Sequence, residues 1–589
     1  MAVHESLRLH ITSDSFFIEP YNDSGTHELL VIDRLTQEIT LSTNHGQIPS
    51  SAVTRTIYGI MGIIRLLAGP YLIVITGKTK VGDVDGHTIW RVTSTELHSY
   101  QRTLLHLNEQ QISDNKTYVS MVELALKSTG LYFSTTYDLT HTLQRLQNTS
   151  PDFLSLAMHE RVRFVWNGHV LRELAQQSEL ARYCLPVIMG FVHIHTNMIN
   201  NKQFDYALIS RRSVYRAGTR FYVRGLDTEG YCANFVETEQ LVLFDGHKCS
   251  FVQTRGSIPL FWSQRPCLKY MPQPVISNTM GHTEAFKRHF ENQIYNYGKQ
   301  VIVSLINHKG REHLLEKALT QMIINAQNNS IRYESFDFHH ECRKMRWDRL
   351  SLLMDRLEND INNFGYFMVQ RDGTVMSHQA GIMRTSCMDC LDRTNVVQGL
   401  IARVVLETQL QRLGILHPGQ KLVEQEMFMT VYRDVWADHA DALSIQYAGT
   451  GALKTDFTRT GKRTKIGMLM DGVNSLTRYF KNNFSDGFRQ DSIDLFLGNY
   501  TVGDGDGISH MSPFRKDKDW KYYALPVIFL VAFMMCVISV LLPDEHLSEQ
   551  AMYVLFWGVA SVVSVFLIFV YGVEFVDQPR LTQAQSKTE

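Results

Sequence analysis

Two uncharged runs near the C-terminus constrain this chain more than any other feature. Residues 524–542 read A-L-P-V-I-F-L-V-A-F-M-M-C-V-I-S-V-L-L, and 551–573 form a second stretch without a charge. A helix rises ~1.5 Å per residue, so either run crosses most or all of a hydrocarbon core of ~30 Å. The alternative is a buried soluble helical hairpin, but such helices normally carry a polar face and neither run has one. Membrane-spanning helices are therefore expected over 522–542 and 551–573, joined by a short turn over 543–550. Arg515, Lys516, Lys518 and Lys521 precede the first span, whereas the turn holds Asp544, Glu545 and Glu549 and neither Lys nor Arg. By the positive-inside rule both flanks lie in the cytosol, including the tail 574–589, and the turn lies in the lumen.

The remaining sequence is long enough for two or three domains with sizeable cores. A formal net charge of -1 gives no global attraction to nucleic acid. Eight cysteines without regular spacing suit a reducing compartment. The first twenty residues are interspersed with charges and do not read as a signal peptide. Residues 1–180 read as a mixed-sheet domain. Apolar runs at 29–32, 57–67 and 71–76 suggest strands, Ala68-Gly69-Pro70 a turn, and 138–147 and 151–161 helices. From 181 to 498 the pattern alternates. Helices are expected at 282–297, 312–326 and 348–361, with strands at 300–306, 331–338 and 365–369. That alternation predicts an α/β domain with a largely parallel central sheet. Further helices are expected around 421–446 and 464–483, and residues 499–521, with their Gly-Asp repeats, read as a linker.

Within the α/β part, 384–395 reads R-T-S-C-M-D-C-L-D-R-T-N. A strand over 381–386 precedes it, and Val396, Val397, Leu400, Ile401, Val404 and Val405 follow with helical period, Thr394 or Asn395 serving as N-cap. Cys387 thus falls on a tight loop between a strand end and a helix N-terminus. Such a place binds anions and stabilises a thiolate. Arg393, closing a Cys-x5-Arg spacing, supplies a planar fork for two phosphate oxygens. Together they describe phosphate-ester hydrolysis through a phosphocysteine. Cys387 and Cys390 also form a C-x-x-C pair, which admits a redox dithiol or half of a zinc site. The other cysteines are scattered singly, and a dithiol has no need of Asp389, Asp392 and Arg393 around it.

The same twelve residues closely resemble the signature of the Sac-domain phosphoinositide phosphatases. R-R-S-V-Y-R-A-G-T-R-F-Y-V-R-G (211–225), N-F-V-E-T-E-Q (234–240), Q-T-R-G-S-I-P-L-F-W (253–262), F-D-F-H-H-E-C (336–342) and Q-Y-A-G-T-G-A-L-K (446–454) agree with it. The resemblance implies a Sac subdomain packed on a catalytic subdomain, no metal and no other cofactor. With the hairpin, it points to the membrane-anchored branch that hydrolyses phosphatidylinositol 4-phosphate in the endoplasmic reticulum and Golgi membranes. The implied partners are phosphoinositide headgroups and the protein's own membrane.

By position, Cys387 resembles the nucleophile and Arg393 the phosphate-binding arginine, with Met388, Cys390 and Leu391 completing the phosphate loop. Asp389 is the preferred proton donor to the leaving inositol oxygen, Asp392 the alternative. Thr394 either supports the departing thiolate or caps the helix. A C-terminal dilysine retrieval signal is not matched, since the chain ends Q-S-K-T-E with only Lys587. Arg255, Arg343, Lys344, Arg346 and Lys454 are candidates for a cationic mouth or an ordinary solvated face. His339 and His340 suggest a metal site less readily than packed or hydrogen-bonded histidines, and Trp166-Asn167-Gly168 reads as a turn with a core aromatic. Two rival functions stand beside the lipid phosphatase: a protein tyrosine phosphatase with the same loop, and a non-catalytic membrane scaffold.

Overall fold

The computed structural model describes residues 3–21, 27–148, 163–277, 279–343, 346–389, 391–503, 512–515, 518–542 and 547–581. Cys390, Lys344, the helix expected over 151–161, part of the turn over 543–550 and Lys587 lie outside them.

Leu7–Ile11 (β1), Ser15–Pro20 (β2), Glu28–Asp33 (β3), Ile39–Thr43 (β4) and Val53–Ile57 (β5) make an antiparallel sheet in the order β4-β3-β2-β1-β5. Period-two alternation in β1 and β2 turns Leu7, Leu9, Phe16 and Ile18 to one buried face, where they pack with Leu72 and Val74 of the next sheet.

That larger sheet contains Ile60–Leu66 (β6), Gly69–Val84 (β7), His87–Ser99 (β8), Leu131–Phe133 (β9), Ile188–Ile199 (β10), Lys202–Arg212 (β11), Val236–Phe244 (β12) and His247–Arg255 (β13). After the small hairpin Trp262–Ser263 (β14) and Val275–Ile276 (β15), it adds Lys299–Ser304 (β16), Ile331–Ser335 (β17), Phe367–Val369 (β18), Val375–Ser377 (β19) and Gly381–Ser386 (β20). Its main path is β17-β16-β20-β13-β12-β11-β10-β9-β8-β7-β6.

The largely parallel sheet expected over 181–498 holds only at one end, where β13, β20, β16 and β17 run parallel. From β13 to β6 every pairing is antiparallel. Turn chemistry is the reason. Asp85-Gly86, Asn200-Asn201 and Asp245-Gly246 all take positive φ, and each closes a two-residue hairpin. Parallel neighbours need longer crossovers, which the helices after β15 supply. The sheet also runs unbroken across residue 180, because Tyr132 of β9 pairs with Ile188 of β10.

The helices are Glu109–Leu126 (α1), Leu143–Gln147 (α2), Gly168–Ala175 (α3), His282–Tyr297 (α4), His313–Ala326 (α5), Phe338–Glu341 (α6), Leu350–Phe364 (α7) and Asp392–Arg412 (α8). Glu426–Ala448 (α9), Thr455–Thr460 (α10), Lys465–Phe484 (α11), Asp486–Leu497 (α12), Trp520–Leu541 (α13) and Leu547–Val570 (α14) follow. Of the stretch 138–147 only α2 is helical, and the strand expected over 331–338 ends at Ser335, Phe338 opening α6 with His339 and His340. Trp166 is buried, and the side chain of Asn167 bonds Met61 O, Leu185 O and the Val187 N–H. α8 is buried on two sides. Val397, Ile401 and Val405 pack with β16, β20 and α7, while Ala402, Leu406 and Leu410 pack with β11 and α9.

α13 and α14 pack as a hairpin, long and apolar enough to cross a membrane, with most side chains exposed. The chain then turns back to the domain. Asp577 N–H donates to Asn483 O (2.7 Å), the Phe488 N–H donates to the Asp577 carboxylate (2.8 Å), and the Arg580 N–H donates to Asp491 (2.9 Å). Leu581 is fully buried beside Tyr118 and Phe496. Before the hairpin, Tyr500 and Phe514 also pack on Tyr118, and Arg580 donates to Phe514 O (2.9 Å). Tyr500 and Phe514 of the expected linker are thus docked, because both find an apolar seat.

Candidate active site

β20 is a central parallel strand, buried along its length, and Cys387 follows its last residue. The carboxyl end of a parallel strand is where ligands approach such sheets. Leu305 N–H donates to Ser386 O (2.8 Å), so β16 holds the strand up to the loop. Arg384 anchors it from behind by donating to His289 Nε2 (3.1 Å), Ser257 O (3.1 Å) and Ser386. Cys387 is only 3% exposed. Its sulfur accepts a hydrogen bond from the Thr394 hydroxyl at 3.3 Å. α8 begins at Asp392, earlier than the expected cap at Thr394 or Asn395, and its N-cap residue Leu391 has no side-chain cap. Thr394 is free for the sulfur because it lies one turn inside the helix. Leu391 itself is buried against Tyr447 and Ala448, and Met388 leans on the cluster around Ile258 and Trp262.

The two loop acids have opposite environments. Arg220 grips Asp389 with two bonds (3.0 and 2.7 Å), and Arg224 adds a third (2.8 Å). Arg224 also donates to Met388 O (2.9 Å) and to Gln264 Oε1 (2.7 Å). Burial alone would raise Asp389; the two guanidinium groups outweigh it and hold the carboxyl far below the usual carboxylate range. Asp392 accepts one bond, from the Leu453 N–H (2.8 Å). Burial pushes its carboxyl up, and the charge of Asp389 adds to this, against the pull of Arg478 and of that N–H. One acid is therefore a fixed anion and the other is the better proton carrier.

Arg393 is held by Glu312 in a two-pronged ion pair (3.0 and 2.8 Å), and by Leu305 O (2.9 Å) and Asn307 Oδ1 (3.2 Å). Burial opposes its charge, but Glu312 and the nearby Cys387 sulfur outweigh it and keep the guanidinium protonated. The Nε–H edge is used by none of these bonds. Deeper in α8, Asn395 donates to Trp436 O (2.8 Å) and meets His439 Nδ1 (2.6 Å), whose Nε2 bonds Ser210 of β11 (2.7 Å). Burial drives His439 well below the ordinary histidine range, so this link is a neutral one. Between α8 and β13, the Gln398 side chain donates to Thr254 O (3.1 Å) and the Gln253 side chain donates to Gln398 O (3.0 Å). The helix that carries Arg393 and Thr394 is thereby fixed on the sheet.

Sequence reasoning missed Arg220, Arg224 and Glu312. The first two lay in the quoted 211–225 segment, but nothing local connects them to a loop more than 160 residues away. Among the proposed mouth residues, Arg255 is buried in β13 and faces no solvent, whereas Arg343, Arg346 and Lys454 are exposed. His339 and His340 are exposed too, the latter 3.4 Å from Glu341. Among the described residues no group of three His, Cys, Asp or Glu side chains is placed to hold a metal ion.

A strand-end cysteine and an arginine on the following helix turn thus sit at one end of a mixed α/β sheet, and comparison with known proteins identifies the family. A model of the SacI homology domain matches residues 58–343, which stops short of the Cys387 loop. Likenesses to whole relatives extend over nearly the full chain. The chain is 54% identical over 584 residues to the Danio rerio protein named phosphatidylinositol-3-phosphatase SAC1-A, covering 99% of both chains. It is 45% identical over 585 residues to phosphatidylinositol-3-phosphatase SAC1 of Drosophila melanogaster, covering 98% of this chain and 97% of that one. With the SAC1 protein of Saccharomyces cerevisiae the identity is 35% over 587 residues, covering 97% and 92%. The chain belongs to the SAC1 family of SacI-homology proteins.

Proposed function

We propose that this protein is a membrane-anchored phosphoinositide phosphatase, acting on phosphatidylinositol 4-phosphate and on other phosphatidylinositol monophosphates. The names of the relatives, which specify a phosphatidylinositol-3-phosphatase for those proteins, support the substrate class and make the 3-phosphate the second substrate to assay. The observation that carries the reading is the Thr394 hydroxyl on the Cys387 sulfur, one residue from an arginine held by four protein bonds.

In the reaction the Cys387 thiolate attacks phosphorus as the bond to the inositol oxygen breaks. Arg393 stabilises the equatorial oxygens through its unused edge. Asp392 gives its proton to the leaving oxygen. Its environment favours it over Asp389, which the sequence had favoured and which Arg220 and Arg224 hold as an anion. Water then attacks the phosphocysteine, Asp392 takes its proton, and Thr394 stabilises the departing sulfur. The two apolar helices support residence in a membrane, and the basic residues before the first support a cytosolic catalytic part. The family resemblance favours the endoplasmic reticulum and Golgi.

The test is phosphate release by the full chain from each phosphatidylinositol monophosphate and from a phosphotyrosine peptide. Activity on the lipids that disappears in Cys387→Ser and falls severely in Arg393→Lys is expected. Release from the peptide alone, or undiminished turnover in Cys387→Ser, would overturn the reading.

A further inference from the structure

α11 faces the wrong way for a helix in water. Its buried residues, Arg478, Asn482 and Asn483, are all polar. Ile466, Leu469, Val473, Leu476, Phe480 and Phe484 recur at helical spacing on the other side, and they are 42–76% exposed. Single exposed apolar residues are ordinary, but a continuous stripe of six on one helix marks an interaction surface.

The helix cannot roll to hide this stripe. Arg478 donates to Thr450 Oγ1 (3.1 Å), Ser444 Oγ (3.1 Å) and Gly451 O (2.9 Å). Asn483 accepts from the Leu268 N–H on its side chain (3.1 Å) and from the Asp577 N–H on its carbonyl (2.7 Å). These bonds fix the polar face against the domain.

Both ends of α11 meet informative neighbours. At the C-terminal end lies the chain emerging from α14. Asp577 bonds Asn483, and Gly572 sits so close to the 266–272 loop that a Cβ there would be 2.2 Å from Cys267 O. Tyr479 donates to Leu268 O (2.7 Å) and stacks on Tyr270, which is 62% exposed. At the N-terminal end, Asp471 accepts from the Lys454 N–H (3.1 Å), and the adjacent Leu453 N–H holds Asp392 (2.8 Å). A helix of this length reaches ~30 Å, from the foot of the apolar hairpin to the loop acid.

α11 ends beside the chain that emerges from the hairpin, and that position selects the stripe's occupant: the lipid surface that the hairpin enters. We propose that α11 lies along the membrane with its apolar stripe ~5–10 Å into the headgroup–acyl boundary. Lys462 and Lys465, both exposed at its N-terminal end, face anionic headgroups. The helix sets the height of the Cys387 loop, so substrate is presented from the same leaflet. The activity readout below rests on the phosphatase reading; the optical one does not.

The experiment uses the full chain reconstituted in phosphatidylcholine–phosphatidylserine vesicles. In the triple variant Leu469→Ser, Leu476→Ser, Phe480→Ser, hydrolysis of long-chain phosphoinositide in the same vesicles falls at least ~10-fold, while a short-chain, water-soluble phosphoinositide is cleaved within about twofold of the unsubstituted rate. A fluorescent residue in place of Val473 is quenched by spin-labelled acyl chains and shielded from aqueous iodide. Full activity of the triple variant on embedded lipid overturns the proposal. So does iodide access without acyl-chain quenching, or shielding that depends on protein concentration, which assigns the stripe to a second copy. If the unsubstituted chain cleaves neither substrate, the phosphatase reading fails and the quenching alone decides the placement of α11.

Discussion

Asp389→Asn and Asp392→Asn separate a strut from an acid. Asp389 receives three charge-assisted bonds from two arginines whose side chains are 9% and 1% exposed, its own being 26% exposed. Removing its charge takes from both guanidinium groups the anion that they grip. Breaking a buried pair costs about 3–5 kcal/mol, and the partial exposure of Asp389 places this one near ~3 kcal/mol. Because its folded pKa is depressed, this contribution is complete above the unfolded value of about 3.9 and constant from pH 5 to 8. Asp389→Asn should therefore lower unfolding stability and reduce turnover of every substrate by a similar factor. Asp392→Asn should leave stability nearly unchanged. It should lose roughly 10²–10⁴-fold on inositides, whose alkoxide leaving group needs a proton, and only a few-fold on an aryl phosphate with an acidic phenol. The assay is kcat/KM on both substrates alongside chemical unfolding. If Asp389→Asn kept wild-type stability and lost only inositide turnover, the assignment of the acids would be wrong.

Three further outcomes are expected. Thr394→Val removes the donor to the Cys387 sulfur, so hydrolysis of the phosphocysteine should slow by ~10-fold, equivalent to ~1.4 kcal/mol, and the intermediate should accumulate in acid-quenched samples. Glu312→Gln removes the charge that positions Arg393 and should lower kcat/KM by ~10-fold; a rise would mean that Glu312 restrains the arginine instead. Asp491, which accepts the Arg580 and Leu581 N–H groups, is raised by burial to about 7. The folded state then binds the extra proton between about pH 4 and 7, so the stability of the folded state should rise as pH falls through that window, by on the order of 4 kcal/mol at most. Chemical unfolding at pH 7.5 and 5.5 checks it, and in Asp491→Asn the pH dependence should shrink to the part that Asp486, Asp494 and Asp577, also raised by burial, retain.

Local pattern alone determined several features of this protein. The 381–386 strand, the 282–297 helix and the apolar hairpin were legible because each is a run whose period or length admits one structure. Cys387 and Arg393 were legible as candidates because their spacing and flanking elements lie within one short segment. The N-N and D-G dipeptides at 200–201 and 245–246 also announced hairpins, and their neglect led to the expectation of a largely parallel sheet over 181–498. Tertiary structure alone decided the rest. Which loop acid carries a proton depends on Arg220 and Arg224, brought to Asp389 from far along the chain. The amphipathic stripe of α11 was readable as periodicity, but the sense in which it faces was set by bonds to Thr450, Gly451 and Leu268. The docking of Leu581 and Phe514 beside Tyr118 joins residues almost 400 or more positions apart. Charge pairing and burial at such separations leave no periodic trace in a sequence, since they depend on where the chain returns and not on its local order.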